Sequence, residues 1–478
     1  MNQRPRLADT WTQVAVRYLP FADAASADLP LSRLLRLSLF QVSVGMAMVL
    51  LNGTLNRVMI VEIGVPTWLV ALLIAVPLLV APFRALIGHK SDTHRSFLGW
   101  RRVPYIWAGT LAQFGGLAIM PFSLLLLGKP EAFNLGMVAA AVAFLMTGAG
   151  FHITQTAGLA LATDLAPEDK RPRAVALLYV MLLVGMMFAA FVIGGVLMDF
   201  SPTKLVQVIQ GCAVLTIILN LVALWKQEAR DPEATAHDRE TPDFRDLWNS
   251  FVRDGRNARL LTAIGIGAAG FAMQDALLEP YGGEILGLSV GSTTSLTGAW
   301  AFGSLIGFML SGRSLGLGGD PLRLAGVGLV TGVVAFLFVV FAAPFGSPAM
   351  LFLGAFAIGV GLGLFSVGTL MEAMNLAQSA TAGLALGAWG AVQATAAGAG
   401  IALGGALRDG VSALVMTGDA GEAIATRATG YTSVYLLEIL LLLAGLAAIG
   451  PLVGRGRSHT LASWERTGQP FGLREFPT

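Results

Sequence analysis

Long apolar runs recur along this chain, and they constrain its fold more than any other feature. Twelve runs of about 20 residues with few charges are separated by polar connectors. A helix of that length crosses the hydrocarbon core of a bilayer and satisfies its own backbone hydrogen bonds there. The sequence therefore predicts an all-α membrane protein with 12 transmembrane helices in two six-helix halves. The predicted spans are 37–61, 67–87, 103–127, 135–163, 174–198, 205–225, 260–278, 292–310, 322–343, 349–374, 384–407 and 434–453.

The composition agrees with a membrane protein and argues against several other classes. Of the 478 residues, 55% are hydrophobic and 13% are charged, and the mean hydropathy is +0.71. The formal net charge of +2 gives no basis for a nucleic-acid partner. The single cysteine, Cys212, excludes an internal disulfide and a cysteine-based metal site. The sequence contains no H-E-x-x-H or Walker A motif, and we predict neither an enzyme nor a resident metal site.

The positions of the basic residues predict the orientation of the spans. If the chain begins in the cytoplasm, only five of its 31 lysines and arginines fall outside the cytoplasmic segments. They are Arg57, Lys129, Lys204, Arg408 and Arg427. An excess of Lys and Arg in cytoplasmic loops is the general rule for multi-pass membrane proteins. We therefore predict that both termini lie in the cytoplasm.

The longest polar stretch lies midway along the chain and separates two sets of six spans. The predicted regions are a cytoplasmic N-terminal tail (1–36), an N-terminal six-helix bundle (37–225), a cytoplasmic linker with an amphipathic helix (226–259), a C-terminal six-helix bundle (260–453) and a cytoplasmic C-terminal tail (454–478). Two sets of six predict an internal repeat. The strings RVMIVE and EPYGGE end the first span of their respective halves, which supports that repeat.

Polar side chains near the outer ends of spans one and seven form the first candidate site. Charged groups inside a span are costly in lipid, so each one indicates a function or a partner. Asn56 and Arg57 lie in span one, and Asp275 and Glu279 lie in span seven, its counterpart in the second half. We predict that these residues form a polar cluster at the outer mouth. Bonds that hold the two halves together are the favoured interpretation, and a site for a small polar substrate is the alternative.

His152 is the only histidine inside a predicted span. A neutral imidazole at this depth can donate a hydrogen bond to a neighbouring helix, which is its more frequent role. It can also coordinate a metal ion, such as the magnesium of a chlorin. The residue pattern leaves both roles open.

The connector between spans two and three, GHKSDTHRSFLGWRR, resembles the signature loop of the major facilitator superfamily. The resemblance implies the fold of that superfamily and a cytoplasmic latch, in which the aspartate lies near a helix N-terminus and the arginines pair with helix ends. The implied latch residues are Gly88, Asp92, Arg95, Arg101 and Arg102, with Asp164 and Arg171 from the segment after span four. The alternative is a tight connector whose charges only fix the topology.

Longer strings resemble one branch of that superfamily. The segments 19–62, 82–107 (PFRALIGHKSDTHRSFLGWRRVPYIW) and 113–122 (QFGGLAIMPF) closely resemble the PucC/LhaA proteins of purple phototrophic bacteria. The resemblance implies an assembly factor for light-harvesting complex LH1 or LH2 that binds or delivers bacteriochlorophyll. It also implies location in the bacterial inner (intracytoplasmic) membrane, with the antenna α and β polypeptides as partners and the reaction centre and pigment-synthesis enzymes as further candidates. His152 and Gln155 of span four are then the candidate pigment-binding residues.

Two other functions stay open from the sequence. A secondary transporter of a small solute would use Arg57, Asp275 and Glu279 and would alternate its access between the two sides. A pigment-free chaperone for antenna helices would bind no bacteriochlorophyll. The small number of charges in most spans favours a protein for an apolar ligand.

Overall fold

The computed structural model describes residues 29–79, 100, 102–167, 171–228, 253, 255–376, 382–416 and 426–453. Within these ranges every regular element is helical, as predicted. In spans one to six, the first half, the helices are Leu31–Leu37, Leu39–Met48, Thr67–Leu79, Val103–Leu127, Phe133–Leu165, Arg171–Val196 and Pro202–Leu224. In spans seven to twelve, the second half, they are Gly255–Ala272, Leu278–Glu284, Val290–Gly316, Pro321–Ala342, Pro348–Leu376, Ala382–Met416 and Thr429–Ile449.

Ten helical segments in the described part of the chain are long and apolar enough to cross a bilayer. The chain is therefore a multi-pass membrane protein, and ten of the 12 predicted spans meet this measure. Span two has 13 described helical residues, Thr67–Leu79, which is short for a crossing. Span eight, Val290–Gly316, has 27 residues but is less apolar because serine, threonine and glycine interrupt it.

Two described helices begin where a polar side chain caps a proline-led first turn. Ser201 precedes Pro202, and its Oγ accepts a hydrogen bond from the Lys204 N–H at 3.2 Å. Asp320 precedes Pro321 in the same way, and its Oδ1 accepts from the N–H groups of Leu322 and Arg323 at 2.8 and 3.1 Å. A cap oxygen satisfies an otherwise unpaired N–H group, and proline at the first position loses no hydrogen bond. These short sequence signals fix the starts of spans six and nine.

Several spans extend beyond their predicted limits, and spans seven and eleven show this clearly. The helix of span eleven continues to Met416, whereas the apolar run ends before Arg408. The helix of span seven begins at Gly255, inside the predicted linker, and its first turns carry Arg256 and Arg259. The helix Leu31–Leu37 begins inside the predicted N-terminal tail, and the rest of that tail, the amphipathic helix predicted in the linker and the C-terminal tail lie outside the described residues, so the five region boundaries stay predictions.

Buried apolar side chains form one large cluster in each half. The first includes Leu50, Ile74 and Phe144, and most of its members come from spans one to six. The second includes Phe271, Phe336 and Tyr435, and all its members come from spans seven to twelve. Trp300 of span eight packs against both clusters, so it lies where the halves meet.

Paired glycines support the internal repeat. A Cβ on Gly109 of span three would lie 2.7 Å from the carbonyl oxygen of Gly150 in span four. A Cβ on Gly361 of span ten would lie at the same distance from the carbonyl oxygen of Gly328 in span nine. In both halves the third and fourth spans therefore approach each other backbone to backbone, which only glycine permits.

The first span of each half is irregular near the end that the sequence predicts to lie outside the cytoplasm, called the outer end. Span one widens into π-helical turns over Val49–Leu55 and Val58–Glu62. Span seven narrows into a 3₁₀ turn over Met273–Ala276 before a last short helix. Such departures from α-helical geometry inside a span are frequent at functional positions. Here Asn56 and Arg57 lie between the two π-helical stretches, Asp275 lies in the 3₁₀ turn, and Glu279 lies in the short helix that follows it.

The two halves meet at their outer ends, along contacts that we call the outer seam. Thr54 and Thr294 share a hydrogen bond of 3.1 Å between spans one and eight. Gly291 of span eight lies against the backbone of Gly194 in span five, and Gly405 of span eleven lies against Ala71 in span two. Small residues allow the helices of the two halves to approach closely.

Candidate functional site

Arg57 is the centre of the outer polar cluster. Its side chain is 5% exposed although it carries a charge. Nη1 pairs with the carboxylate of Glu62 on the same span. Nη2 donates to the carbonyl oxygen of Leu288 in the second half at 3.2 Å. The guanidinium therefore connects the outer end of span one to the turn that precedes span eight.

The other three predicted members of the cluster lie beside Arg57. The Asn56 amide donates to the carbonyl oxygen of Asp275 at 3.1 Å, which links spans one and seven. The Asp275 carboxylate accepts from the side chain of Gln274. Glu279 accepts through Oε1 from the Thr297 hydroxyl, and its Oε2 has no hydrogen-bond partner among the described residues. The structure thus brings Asn56, Arg57, Asp275 and Glu279 together between the two halves.

A second charged group at the outer seam was missed by the sequence reasoning. Arg408 at the outer end of span eleven pairs through Nη2 with Glu284, and through Nη1 with Asp409 at 2.8 Å. Its guanidinium lies over the ring of Tyr431, 4.6 Å from the centroid, and the Tyr431 hydroxyl donates to Glu284 at 2.9 Å. Two adjacent charges that end an apolar run are the signal that indicates such a group.

Asp409 links this charged group to the first half. Its Oδ2 accepts from the backbone N–H of Trp68, 2.8 Å away, in the first turn of span two. An acidic group at a helix N-terminus satisfies an unpaired N–H and interacts favourably with the helix dipole. The described hydrogen bonds between the two halves, including this one, all lie at their outer ends.

A buried carboxylate at the break in span seven was also missed. Glu438 of span twelve is fully buried, and its Oε1 accepts from the Gln274 N–H at 2.6 Å. The 3₁₀ turn leaves this N–H without its usual helical acceptor, and the carboxylate replaces it. One carboxylate in an otherwise apolar run is itself a signal of such a role.

His152 and Gln155, the candidate pigment-binding residues, lie in the inner part of span four. His152 is 8% exposed, and its ring centroid lies 4.5 Å from that of Phe151. Gln155 follows at the spacing of three residues, which places both side chains on one side of the helix. Its Nε2 donates to Oε1 of Gln41 in span one at 3.3 Å.

Gln41 adds an unsatisfied donor to this region. The residue is fully buried, and its Nε2 has no hydrogen-bond partner among the described residues. A buried amide donor costs free energy unless an acceptor reaches it. An imidazole, an aromatic face and an amide donor are also the groups that fit the magnesium and the carbonyl oxygens of a chlorin.

Amide and hydroxyl groups tie the neighbouring spans of the first half together. Gln113 of span three donates to the carbonyl oxygen of Ser43 at 3.0 Å and to the Thr216 hydroxyl at 3.3 Å. Asn220 of span six donates to Thr110 at 2.8 Å and accepts from Ser43 at 2.9 Å. These bonds join spans one, three and six, while Oε1 of Gln113 has no hydrogen-bond partner among the described residues.

The described part of the predicted latch is an ion pair at the inner end. Nε of Arg102 lies 3.0 Å from Oδ2 of Asp164, which joins the start of span three to the end of span four. The Glu228 carboxylate accepts from the N–H groups of Arg102 and Val103 at 2.9–3.1 Å and so caps span three. Gly88, Asp92, Arg95, Arg101 and the side chain of Arg171 lie outside the described residues.

Two strings share the G-x-S-x-G spacing of the hydrolase nucleophile elbow: 287–291 (GLSVG) and 312–316 (GRSLG). That elbow is a turn between a strand and a helix. Ser289 instead caps a transmembrane helix and accepts from the Ser292 N–H at 3.2 Å, and Ser314 lies in the last turns of the same helix. The structural context of the elbow is absent at both serines.

A family model described as "PUCC protein" matches residues 54–457. The chain belongs to the PucC family. It is 56% identical to "Protein PucC" of Rhodovulum sulfidophilum over 86% of this chain and 92% of that protein. It is 27% identical to the "Bacteriochlorophyll synthase 44.5 kDa chain" of Rhodobacter capsulatus over 89% of this chain and 97% of that protein.

Among solved structures, this PucC family member has the fold of major facilitator transporters. It matches the inward-facing structure of a bacterial homologue of the human lysosomal transporter Spinster with a TM-score of 0.65. The match covers 90% of this chain and 96% of that one at 15% sequence identity. At this identity the likeness concerns the fold alone, and it confirms the fold predicted from the loop.

Proposed function

We propose that this protein is an assembly factor that binds bacteriochlorophyll in the membrane and delivers it to antenna polypeptides. The clients are the α and β polypeptides of LH1 or LH2, and the reaction centre and pigment-synthesis enzymes are further candidate partners. The proposed role is non-enzymatic. It places the protein in the bacterial inner (intracytoplasmic) membrane with both termini in the cytoplasm.

The unsatisfied donor beside Gln155 carries this proposal. Gln41 presents a buried Nε2 that has no partner among the described residues, next to Gln155. An imidazole can supply an axial ligand to magnesium, and a free amide donor can bind a ring carbonyl. The proposal assigns the first role to His152 and the second to Gln41, with Gln155 holding the Gln41 amide in place.

The relatives support the choice of ligand. One of them carries bacteriochlorophyll in its name, and another carries the name of the family. The apolar surface of the spans agrees with a ligand that stays in the lipid phase, because a pigment with a long hydrocarbon tail needs an apolar site with few polar anchors.

The experiment is purification of the full chain in mild detergent from a host that makes bacteriochlorophyll, followed by a near-infrared spectrum. We expect stoichiometric pigment with the wild-type protein, loss of most of it with His152→Ala, and a shifted absorption band with Gln41→Leu. His459→Ala, in the predicted C-terminal tail, is the matched control and should retain the pigment. A pigment-free wild-type protein would contradict the proposal.

A secondary transporter is the second candidate, and the bonds across the outer seam favour it. Alternating access requires that contacts such as Asp409 with Trp68 form and break. A short thiol crosslinker between Trp68→Cys and Asp409→Cys, in a Cys212→Ser background, would hold the seam closed. A transporter would lose its function when crosslinked, whereas a protein that only holds pigment and passes it through the lipid-facing side would keep it.

A further inference from the structure

An apolar groove of about 590 Å³ lies on the exposed, lipid-facing surface of the second half, between spans nine and twelve. Span nine contributes Arg323, Val327, Val330 and Val334, which are exposed and recur at helical spacing along one face. Span twelve contributes its inner end around Gly450. The groove is therefore open to the lipid along its length.

The length of the groove matches one leaflet. From Leu322 to Val334 a helix rises about 18 Å, whereas the hydrocarbon core of a bilayer is about 30 Å thick. The walls are apolar beyond Arg323 except for Thr331, whose hydroxyl donates to the Val327 carbonyl oxygen at 2.9 Å. A transmembrane helix of a partner would need a contact surface over both leaflets, so a single hydrocarbon chain fits the groove better.

The inner end of the groove is positively charged. Arg323 lies in its lining and is exposed. Nε of Arg259 donates to the carbonyl oxygen of Ala448 at 3.0 Å, beside the lining residues Ile449 and Gly450. The nearby carboxylate of Asp320 already accepts two backbone N–H groups as the cap of span nine. Two guanidinium groups thus stand where a lipid of the inner leaflet places its headgroup.

We propose that this groove binds an anionic phospholipid of the inner leaflet. One acyl chain lies between spans nine and twelve, and the phosphate pairs with Arg323 and Arg259. Guanidinium groups bind phosphate oxygens through two parallel hydrogen bonds, and an anionic headgroup has no ammonium group to oppose them. The site is separate from His152 and from the outer seam, and it does not depend on the proposed pigment function.

Lipid retention tests the headgroup contacts. The full chain is delipidated and then placed in nanodiscs of phosphatidylcholine alone or of equimolar phosphatidylcholine and phosphatidylglycerol. After extraction in mild detergent, bound lipid is measured by mass spectrometry. We expect retained phosphatidylglycerol with the wild-type protein and about tenfold less with Arg259→Gln/Arg323→Gln, because two charge-assisted contacts are lost. Arg427→Gln, at the outer end of span twelve, should behave as wild type.

Photocrosslinking tests the position of the acyl chain and the identity of the molecule in the groove. A benzophenone amino acid replaces Val330 in the groove or, as the control, Leu337, which is exposed on span nine beyond it. We expect the Val330 position to capture phosphatidylglycerol preferentially and Val330→Trp to reduce retention. Equal capture of both lipids, equal capture at Leu337, or an adduct with a polypeptide would overturn the proposal. So would protection of the arginines by inorganic phosphate without any retained lipid.

Discussion

Asp409 of span eleven caps the first turn of span two by accepting from the backbone N–H of Trp68, and so a carboxylate of one half completes a helix of the other. The same carboxylate is held by Arg408, which also pairs with Glu284 and lies over Tyr431. Opening of the outer seam would leave the N–H group of Trp68 without this acceptor. The closed outer end is therefore stabilised by a definite bond as well as by close packing.

Asp409→Ala should loosen the outer seam. Loss of a helix cap costs about 1 kcal/mol, which corresponds to about a fivefold change in an equilibrium between closed and open ends. The measurement is the labelling rate of a cysteine at Ala71, buried in the seam, by a membrane-impermeant thiol reagent in a Cys212→Ser background. Asp409→Asn keeps an acceptor oxygen and should label almost as slowly as the parent. Equal rates for the parent and Asp409→Ala would rule out a role of the cap in closure.

Gly405→Ala should also loosen the outer seam, in this case through packing. A Cβ at this position would overlap Ala71 of span two, so the halves must separate slightly. Gly410→Ala lies on the same helix with no atom within 4 Å of the new Cβ. The control should stabilise the helix by about 0.5–1 kcal/mol, because alanine has the higher helix propensity. The melting temperature in detergent should therefore fall for Gly405→Ala and rise for Gly410→Ala.

Glu438→Leu should destabilise the second half. The substitution removes the acceptor of the Gln274 N–H at the break in span seven, and a buried unsatisfied donor costs about 1–3 kcal/mol. Glu438→Gln retains an acceptor oxygen at similar volume, and its melting temperature should lie much closer to that of the wild type. A melting temperature for Glu438→Leu at or above the wild-type value would show that the backbone of span seven finds another acceptor.

Glu228→Ala should destabilise the inner end of span three. Its carboxylate accepts from the N–H groups of Arg102 and Val103, and a cap with a charged acceptor contributes about 1–2 kcal/mol. Hydrogen exchange of the amides at the start of span three is the direct measurement, and it should accelerate in Glu228→Ala and much less in Glu228→Gln. Unchanged exchange there would mean that other groups cap the helix.

The spans were the most predictable part of the molecule, because apolar length alone determines where a helix can cross a bilayer. Span three was predicted with the bounds that the helix has, Val103–Leu127. Span eleven was predicted too short, because Arg408 and Asp409 interrupt the apolar run while the helix continues. Their charges are satisfied by Glu284 and Trp68, which are distant in sequence.

The candidate sites were predictable only as lists of residues. Charges inside apolar runs indicated Arg57, Asp275 and Glu279, since such charges need partners. The partners themselves, such as Leu288 for Arg57, are backbone groups that no side-chain pattern reveals. The pairing of Asp164 with Arg102 was anticipated from the superfamily resemblance, while the cap from Glu228 was not.

The outer seam is built from glycine and alanine where spans two and five meet spans eleven and eight. No long side chain of one half is inserted there between Gly194 and Gly291, or between Ala71 and Gly405. At these two contacts, a sliding motion of one half against the other would not require a long side chain to leave a pocket. The polar bonds of the outer seam, which can form and break one at a time, would then be the main interactions that oppose such a motion.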